Sequence, residues 1–223
     1  MQTTATHSRV FHFAAAIISL AAFLGLIHVL PSLATATNQQ VLVKAASEIL
    51  LTVALLYGLV HLGAPTARLG VGRVRLASFG WGVVCFIVTM VISTVLVIGL
   101  RHFGITQQRS VISALASKPV PLILLIAATA AIAEEILFRS ILITELEAAT
   151  GIGWLAAVLS LGAFAFAHAA SWGPWQIGFA AVPGLILTLF FLWKRDLWIC
   201  IIAHFLTDGV GLLGAAAGLA HHK

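Results

Sequence analysis

Long apolar runs alternate with short clusters of turn-forming residues along this chain. The runs are about 20 residues long, which is the length of helix that crosses the hydrocarbon core of a bilayer. Clusters such as Pro31-Ser32, Gly63-Ala-Pro65 and Trp172-Gly-Pro174 separate them. The pattern predicts an all-α, polytopic transmembrane helix bundle of about seven spans, at roughly 10–30, 41–62, 78–100, 120–143, 152–170, 174–193 and 196–219.

The connections between these runs are too short to hold a soluble domain. The longest of them, at about 101–119, is predicted to be a loop. We therefore expect residues 1–223 to form a single membrane domain.

The composition supports a membrane protein and excludes several other classes. Of the 223 residues, 61% are hydrophobic and 9% are charged, whereas a soluble domain carries about 25% charged residues. The net charge of +5 is explained by loops that flank the spans, so nucleic acid is not expected as a partner. Cys85 and Cys200 both lie in apolar runs, which argues against a disulfide framework.

Basic residues are distributed unevenly between the two sets of connections. Placing the N-terminus in the cytoplasm puts the larger set inside, as the positive-inside rule favours. That set comprises Arg9, Arg68, Arg73, Arg75, Lys194 and Arg195, against Arg101, Arg109, Lys118 and Lys223 outside, with Lys44 near the outer boundary. The Ala- and Gly-rich composition and the short length are typical of a bacterial protein, so we expect an integral protein of the bacterial inner membrane.

Two adjacent carboxylates interrupt the fourth run. Glu134, Glu135 and Arg139 lie within an otherwise apolar stretch. A charged side chain near the bilayer centre costs about 2.5–3.5 kcal/mol, and one Leu or Ile returns only about 0.3–0.6 kcal/mol. These side chains should therefore face a protein interior or a water-filled cavity, where an ionisable residue indicates a functional site.

Further polar residues occur at helical spacing in the later spans. His168 follows Phe164 by four residues, and Asp208 follows His204 by four, so each pair shares a helix face. A carboxylate and two imidazoles can activate water and stabilise an oxyanion. The alternative is a set of structural pairs, Glu135 with Arg139 and His204 with Asp208.

Glu134 is the residue that the structural alternative explains least. Its i+4 neighbour is Phe138, which cannot pair with a carboxylate. The chain has neither an HExxH zinc motif nor a GxSxG nucleophile elbow, and Asp208 is the one aspartate well inside an apolar run. A site built from glutamate and histidine remains, with Glu134 as the predicted base.

Other polar positions in the spans are predicted to be structural. Lys44 and Glu48 are expected to form a local ion pair at the membrane interface. His12 should be a structural residue near a span end. Pro183-Gly184 should produce a kink or a close helix contact.

The motifs, taken in order, resemble a known family. Glu134-Glu135-Ile-Leu-Phe-Arg139 resembles EExxxR, Phe164-Ala-Phe-Ala-His168 resembles FxxxH, and His204-Phe-Leu-Thr-Asp208 resembles Hxxx(N/D). Together they are similar to the CAAX protease and bacteriocin-processing family of intramembrane endopeptidases, which includes the type II CAAX prenyl endopeptidases and the abortive-infection proteins. The resemblance covers about residues 120–215.

The resemblance implies a role for each matching residue. Glu134 would activate the attacking water with help from His168, and His204 with Asp208 would stabilise the oxyanion or orient the substrate carbonyl. The supporting residues Glu135, Arg139 and Phe164 would shape the site. Residues 1–119 would then be accessory spans and a loop, and residues 120–219 the catalytic core. Eukaryotic prenyl endopeptidases have Asn where this chain has Asp208. Asp208 lacks the amide donor of Asn, so it would orient His204 instead of donating to the oxyanion.

The function expected from these observations is glutamate-dependent intramembrane hydrolysis of a peptide bond. The substrate would be a membrane-associated peptide or protein, and no cofactor would be required. A divalent metal such as zinc, held by Glu134, His168 and His204, is the alternative chemistry. A non-catalytic immunity or scaffold protein that binds a peptide or membrane partner is the alternative function, and a small proton-coupled transporter ranks last because no inverted repeat is visible.

Overall fold

A computed structural model describes residues 2–30, 32, 35–105 and 109–221 of the chain, and these residues form helices joined by short connections. No strand occurs within these ranges. The helices are α1 (Gln2–Val29), α2 (Asn38–His61), α3 (Leu76–His102), α4 (Arg109–Ala116), α5 (Val120–Glu134), a π-helical segment (Glu135–Leu142), α6 (Ile143–Thr150), α7 (Gly153–Trp172), α8 (Gln176–Lys194) and α9 (Leu197–His221).

The apolar runs of the sequence became these helices, as predicted. In the described part of the chain, six helical stretches are long and apolar enough to cross a membrane, and a shorter apolar helix covers Gly153–Ala169. The six are Ser8–Val29, Asn38–His61, Leu76–His102, Val120–Thr150, Gln176–Lys194 and Leu197–Leu219. The chain is an integral membrane protein built as an all-helical bundle, consistent with about seven spans.

One connection differs from its prediction. The stretch at about 101–119, predicted to be a loop, contains α4. Its Leu115 is buried against Ala36, Val41 and Ile126, and α4 also packs against α9. The helix forms because one apolar face of a short amphipathic segment is covered by the bundle.

The helix ends follow local chemistry that the sequence carries. Thr37 and Gln40 form a capping box at the start of α2, in which each side chain accepts a hydrogen bond from the other residue's backbone N–H. Gly151 ends α6 with φ = 77°, a left-handed conformation that suits glycine.

The fourth span is not a regular α-helix. It changes to π-helix over Glu135–Leu142, and all eight of these residues are buried. Ser160 of α7 donates a hydrogen bond to the Phe138 carbonyl within the segment, and Ser140 of the segment donates at 2.7 Å to the Leu69 carbonyl outside it. π-Helical turns are rare and frequently lie at functional sites, and the span containing both glutamates has such a segment.

Both halves of the chain contribute to one core. The main cluster of buried apolar side chains joins Phe23 of α1 and Cys85 of α3 to Phe138, Phe164 and Phe191. Gly184 permits α8 to approach α7 closely, because a Cβ added there would lie 2.9 Å from the Phe164 ring. The predicted close helix contact at Pro183-Gly184 is thus present. The predicted division at residue 119 stays a prediction.

Candidate active site

Glu134 lies where α5 passes into the π-helical segment, and it faces two histidines from other helices. Its Oε2 atom is 3.9 Å from His168 Nε2 and 3.9 Å from His204 Nε2. The side chain is 20% exposed. Oε2 itself is buried and, among the described residues, has no hydrogen-bond partner. This carboxylate is therefore held near two imidazoles without being neutralised by a short bond.

The orientation of His168 is set by its own helix. Its Nδ1 is 3.0 Å from the carbonyl oxygen of Phe164, one turn earlier in α7. A carbonyl oxygen can only accept, so Nδ1 carries the hydrogen and Nε2 of the neutral ring is left as an acceptor. The ring also lies against the Phe164 ring, with centroids 4.4 Å apart. The acceptor atom Nε2 is therefore the ring nitrogen that lies 3.9 Å from Glu134 Oε2.

His204 of α9 is held by a different carboxylate from the one that its spacing indicated. Its Nδ1 donates to Glu135 Oε1 at 2.7 Å. Its Nε2 is 3.4 Å from Asp208 Oδ2. Asp208 is 39% exposed and Glu135 is 0% exposed, so Glu135 is the shorter and more buried contact. The predicted pairing of His204 with Asp208 is present, but Glu135 makes the stronger hydrogen bond.

Arg139 completes the buried side of this arrangement. Its Nη1 donates to Glu135 Oε1 at 2.8 Å, as the i,i+4 spacing predicted. Its Nη2 donates to Gly184 O at 3.1 Å, and the guanidinium lies 4.4 Å from the centroid of the Phe164 ring. Glu135 Oε1 thus accepts from both Arg139 and His204. This network fixes the π-helical segment, α8 and α9 relative to one another.

The four predicted catalytic side chains line one cavity of about 1490 Å³. Glu134, His168, His204 and Asp208 lie on its wall, as does Phe164. The cavity extends along α1 from Phe23 to Leu30 and along α9 from His204 to Ala215, so it occupies the half of the bundle in which α1 and α9 end. The structure therefore brings together the residues that the sequence singled out; their catalytic roles stay predictions.

A comparison with known families identifies this part of the chain. The family model described as "Type II CAAX prenyl endopeptidase Rce1-like" matches residues 116–210. This segment, less than half of the chain, is therefore similar to an Rce1-like domain. No curated protein and no solved structure matches the chain. The Rce1-like domain contains all seven candidate site residues and supports, in general terms, an intramembrane endopeptidase of the CAAX type.

Residues outside the Rce1-like domain also line the cavity. Lys44 Nζ and Glu48 Oε1 of α2 are 2.9 Å apart, which confirms the predicted ion pair. Both side chains lie on the cavity wall, and Lys44 is buried. Helical spacing predicted that the two would pair with each other. The spacing did not predict which cavity the two side chains would face, because that depends on how α2 packs against α5.

The residues proposed for the alternative metal site do not form a closed ligand set. Zinc is bound by nitrogen and oxygen ligands at about 2.0–2.2 Å. Within the part of the chain that the structure describes, no group of three or more His, Cys, Asp or Glu side chains meets the geometry for a metal ion. The expectation that the Rce1-like domain needs no metal stays a prediction.

Proposed function

We propose that this protein is an intramembrane, glutamate-dependent endopeptidase that hydrolyses a peptide bond in a membrane-associated peptide or protein. The observation that supports it most is the position of Glu134, whose unpartnered Oε2 lies 3.9 Å from the Nε2 atoms of both His168 and His204. The family match to residues 116–210 supports the same class of enzyme.

The distance between Glu134 and His168 suits a shared water molecule. A water oxygen can hydrogen-bond to two atoms that are 3.9 Å apart, since each bond is about 2.8 Å long. Both Glu134 Oε2 and His168 Nε2 are acceptors, so the water would donate one hydrogen to each. Its free lone pair would then be directed at a carbonyl carbon in the cavity.

The reaction then proceeds in two steps. The water oxygen bonds to the carbonyl carbon while one water proton moves to Glu134. The carbonyl oxygen becomes an oxyanion, and a protonated His204 donates to it through Nε2–H. Glu134 then passes its proton to the amide nitrogen, and the C–N bond breaks to release an amine and a carboxylic acid.

Glu135, Arg139 and Asp208 have positioning roles in this proposal. The 2.7 Å bond from His204 Nδ1 to Glu135 orients the ring so that Nε2 faces the cavity. Arg139 holds Glu135 at 2.8 Å. Asp208 lies beside the same Nε2 atom and would stabilise its protonated form, a role that an asparagine would fill less well.

The experiment that tests the proposal uses the full chain in lipid nanodiscs, a pool of membrane-associated peptides, and H₂¹⁸O as the solvent. Hydrolysis by the wild type should place ¹⁸O at a new C-terminal carboxyl group, which mass spectrometry detects. Glu134→Gln should lower the rate by about 10²–10⁴-fold, the usual loss when a general base is removed. Glu147→Gln, which changes a glutamate paired with Arg195, is the matched control.

Equal product from the wild type and from Glu134→Gln would contradict the proposal. Peptide binding by the wild type without any ¹⁸O incorporation would instead indicate the non-catalytic immunity or scaffold protein.

We further propose that the protein lies in a bacterial inner membrane with its N-terminus in the cytoplasm, which the distribution of basic residues supports. Cys85 and Cys200 are fully buried, so single cysteines introduced at exposed positions would report orientation. With an impermeant maleimide on intact spheroplasts, Ser117→Cys should be labelled and Gly72→Cys should not. The opposite labelling would reverse the orientation.

A further inference from the structure

Two residues of α3 line the cavity and have buried hydroxyl groups that make no hydrogen bond of normal geometry among the described residues. Thr89 and Ser93 are one helical turn apart, and both line the cavity that contains Glu134. Thr89 is 1% exposed. The side-chain oxygens of both residues are buried and have no hydrogen-bond partner within the described residues. Both lie outside the segment 116–210 that matches the family model.

Most threonine hydroxyls in membrane helices donate to the carbonyl one turn earlier. Here Thr129 Oγ1 donates to Leu125 O at 2.8 Å, and Thr207 Oγ1 donates to Ala203 O at 2.8 Å. Both of these residues also line the cavity. Thr89 and Ser93 differ from them because neither hydroxyl bonds to a carbonyl of its own helix, although the Thr89 hydroxyl lies near the Cys85 thiol. A buried, unsatisfied hydroxyl costs free energy, and a ligand in the cavity would recover it.

We propose that Thr89 and Ser93 bind the backbone of an extended substrate peptide and hold it beside Glu134. This inference rests on the proposed endopeptidase function. A peptide bond inside a helix is shielded by its own hydrogen bonds, so the segment to be cut must be extended. In an apolar cavity every exposed backbone N–H and C=O then needs a protein partner. The two free hydroxyls supply such partners.

The spacing of the two residues suits this task. Four residues of α-helix rise about 6 Å, and two residues of an extended chain span about 6.6–6.8 Å. Backbone groups two residues apart on an extended peptide point the same way. Thr89 and Ser93 would therefore contact alternate residues along one edge of the substrate.

The position of α3 in the bundle supports the same arrangement. α3 packs against α9, which carries His204 and Asp208. Thr89, Ser93 and these two residues all lie on the wall of the same cavity. A peptide held along α3 would run past His204 and expose its carbonyl carbons to water activated at Glu134.

The first test removes each hydroxyl with little change in shape, using the library peptide that the wild type cleaves fastest in a Glu134-dependent manner. Thr89→Val and Ser93→Ala should each raise KM by about 3- to 10-fold, the effect of losing one uncharged hydrogen bond, with little change in kcat. Thr129→Val is the matched control, because it makes the same substitution on the same cavity wall but removes a hydroxyl already bonded within its helix. Its KM should stay at the wild-type value.

The second test separates substrate binding from a structural role. In a series of analogues, one backbone amide at a time, away from the scissile bond, is replaced by an ester, which removes one N–H and weakens one acceptor. With one analogue, Thr89→Val should no longer raise KM above the wild-type value. With a different analogue, shifted by two residues, Ser93→Ala should no longer raise it. Thr89→Val should be at least as stable as the wild type toward unfolding in SDS, since a buried unpaired hydroxyl is lost.

The two proposals fail in different ways. If the wild type cleaves, Glu134→Gln does not, and both α3 variants keep the wild-type KM, this inference is overturned and the proposed function stands. The same rise in KM with every ester analogue would also overturn the inference. If the wild type and Glu134→Gln give the same products, the proposed function fails and this inference fails with it.

Discussion

Glu134 and Glu135 are neighbours in the chain but lie in opposite surroundings. Glu135 is fully buried, and its Oε1 accepts hydrogen bonds of 2.8 Å from Arg139 and 2.7 Å from His204. Glu134 is 20% exposed to the cavity, and its nearest basic atoms are 3.9 Å away. Through Oε1, Glu135 belongs to a closed network with Arg139 and His204, while its Oε2 has no hydrogen-bond partner among the described residues. Glu134 lines the cavity instead.

The difference shows how a membrane protein can hold two adjacent acidic residues for separate purposes. A buried carboxylate is tolerated when a permanent cation and hydrogen bonds compensate it. A carboxylate beside a cavity can be hydrated and stays available to react. We therefore expect loss of Glu135 or Arg139 to affect folding first, and loss of Glu134 to affect chemistry first.

The largest effect on stability should come from breaking the closed network. Arg139→Met leaves Glu135 buried without its cation, which should lower the free energy of unfolding by about 3–5 kcal/mol, measured by SDS-induced unfolding in mixed micelles. Replacing both partners, Glu135→Leu with Arg139→Met, should recover part of that loss. Glu134→Gln should change the free energy of unfolding little. A loss in this variant as large as that of Arg139→Met would remove the contrast between the two glutamates.

The next effect should appear on the cavity side and in catalysis alone. His168→Gln retains a polar side chain but removes the imidazole Nε2 that would hold the water beside Glu134. We expect kcat to fall by about 10²-fold, at the low end for an acid–base residue, while unfolding in SDS stays close to that of the wild type. Near-normal turnover by His168→Gln would show that Glu134 activates water without this histidine.

A smaller effect should distinguish the two carboxylates that contact His204. Glu135→Gln weakens a 2.7 Å bond and should lower kcat/KM by about 10- to 100-fold, as for hydrogen bonds to charged groups. Asp208→Asn changes a contact of 3.4 Å to a 39% exposed side chain, which solvent screens, so it should lower kcat/KM by less than about 10-fold. A larger loss for Asp208→Asn would make Asp208 the principal partner of His204.

The smallest effect should come from a second ion pair of nearly the same length. Arg195 and Glu147 are 2.9 Å apart, but their side chains are 33% and 36% exposed. Glu147→Gln should change the free energy of unfolding by less than about 1 kcal/mol, measured in the same SDS titration as Arg139→Met. A change as large as that of Arg139→Met would show that exposure does not separate the two pairs.

The local sequence pattern was sufficient to predict the helices and the ion pairs that lie within one helix. The length of each apolar run predicts a span because only a helix satisfies its own backbone in lipid. The pair Glu135–Arg139 follows from four-residue spacing alone, and so does the pair Lys44–Glu48. The loop prediction for 101–119 was wrong because the burial of α4 depends on partners distant in the chain.

The sequence by itself determined that this is a helical membrane protein and that Glu134 lacks a partner in its own helix. Only the tertiary structure decided which groups surround that carboxylate. The contact between His204 and Glu135 joins residues 69 positions apart, and the cavity wall at Thr89 and Ser93 comes from α3, outside the matched segment. Contacts between helices depend on which helix faces pack together, and the spacing within one helix carries no record of that choice.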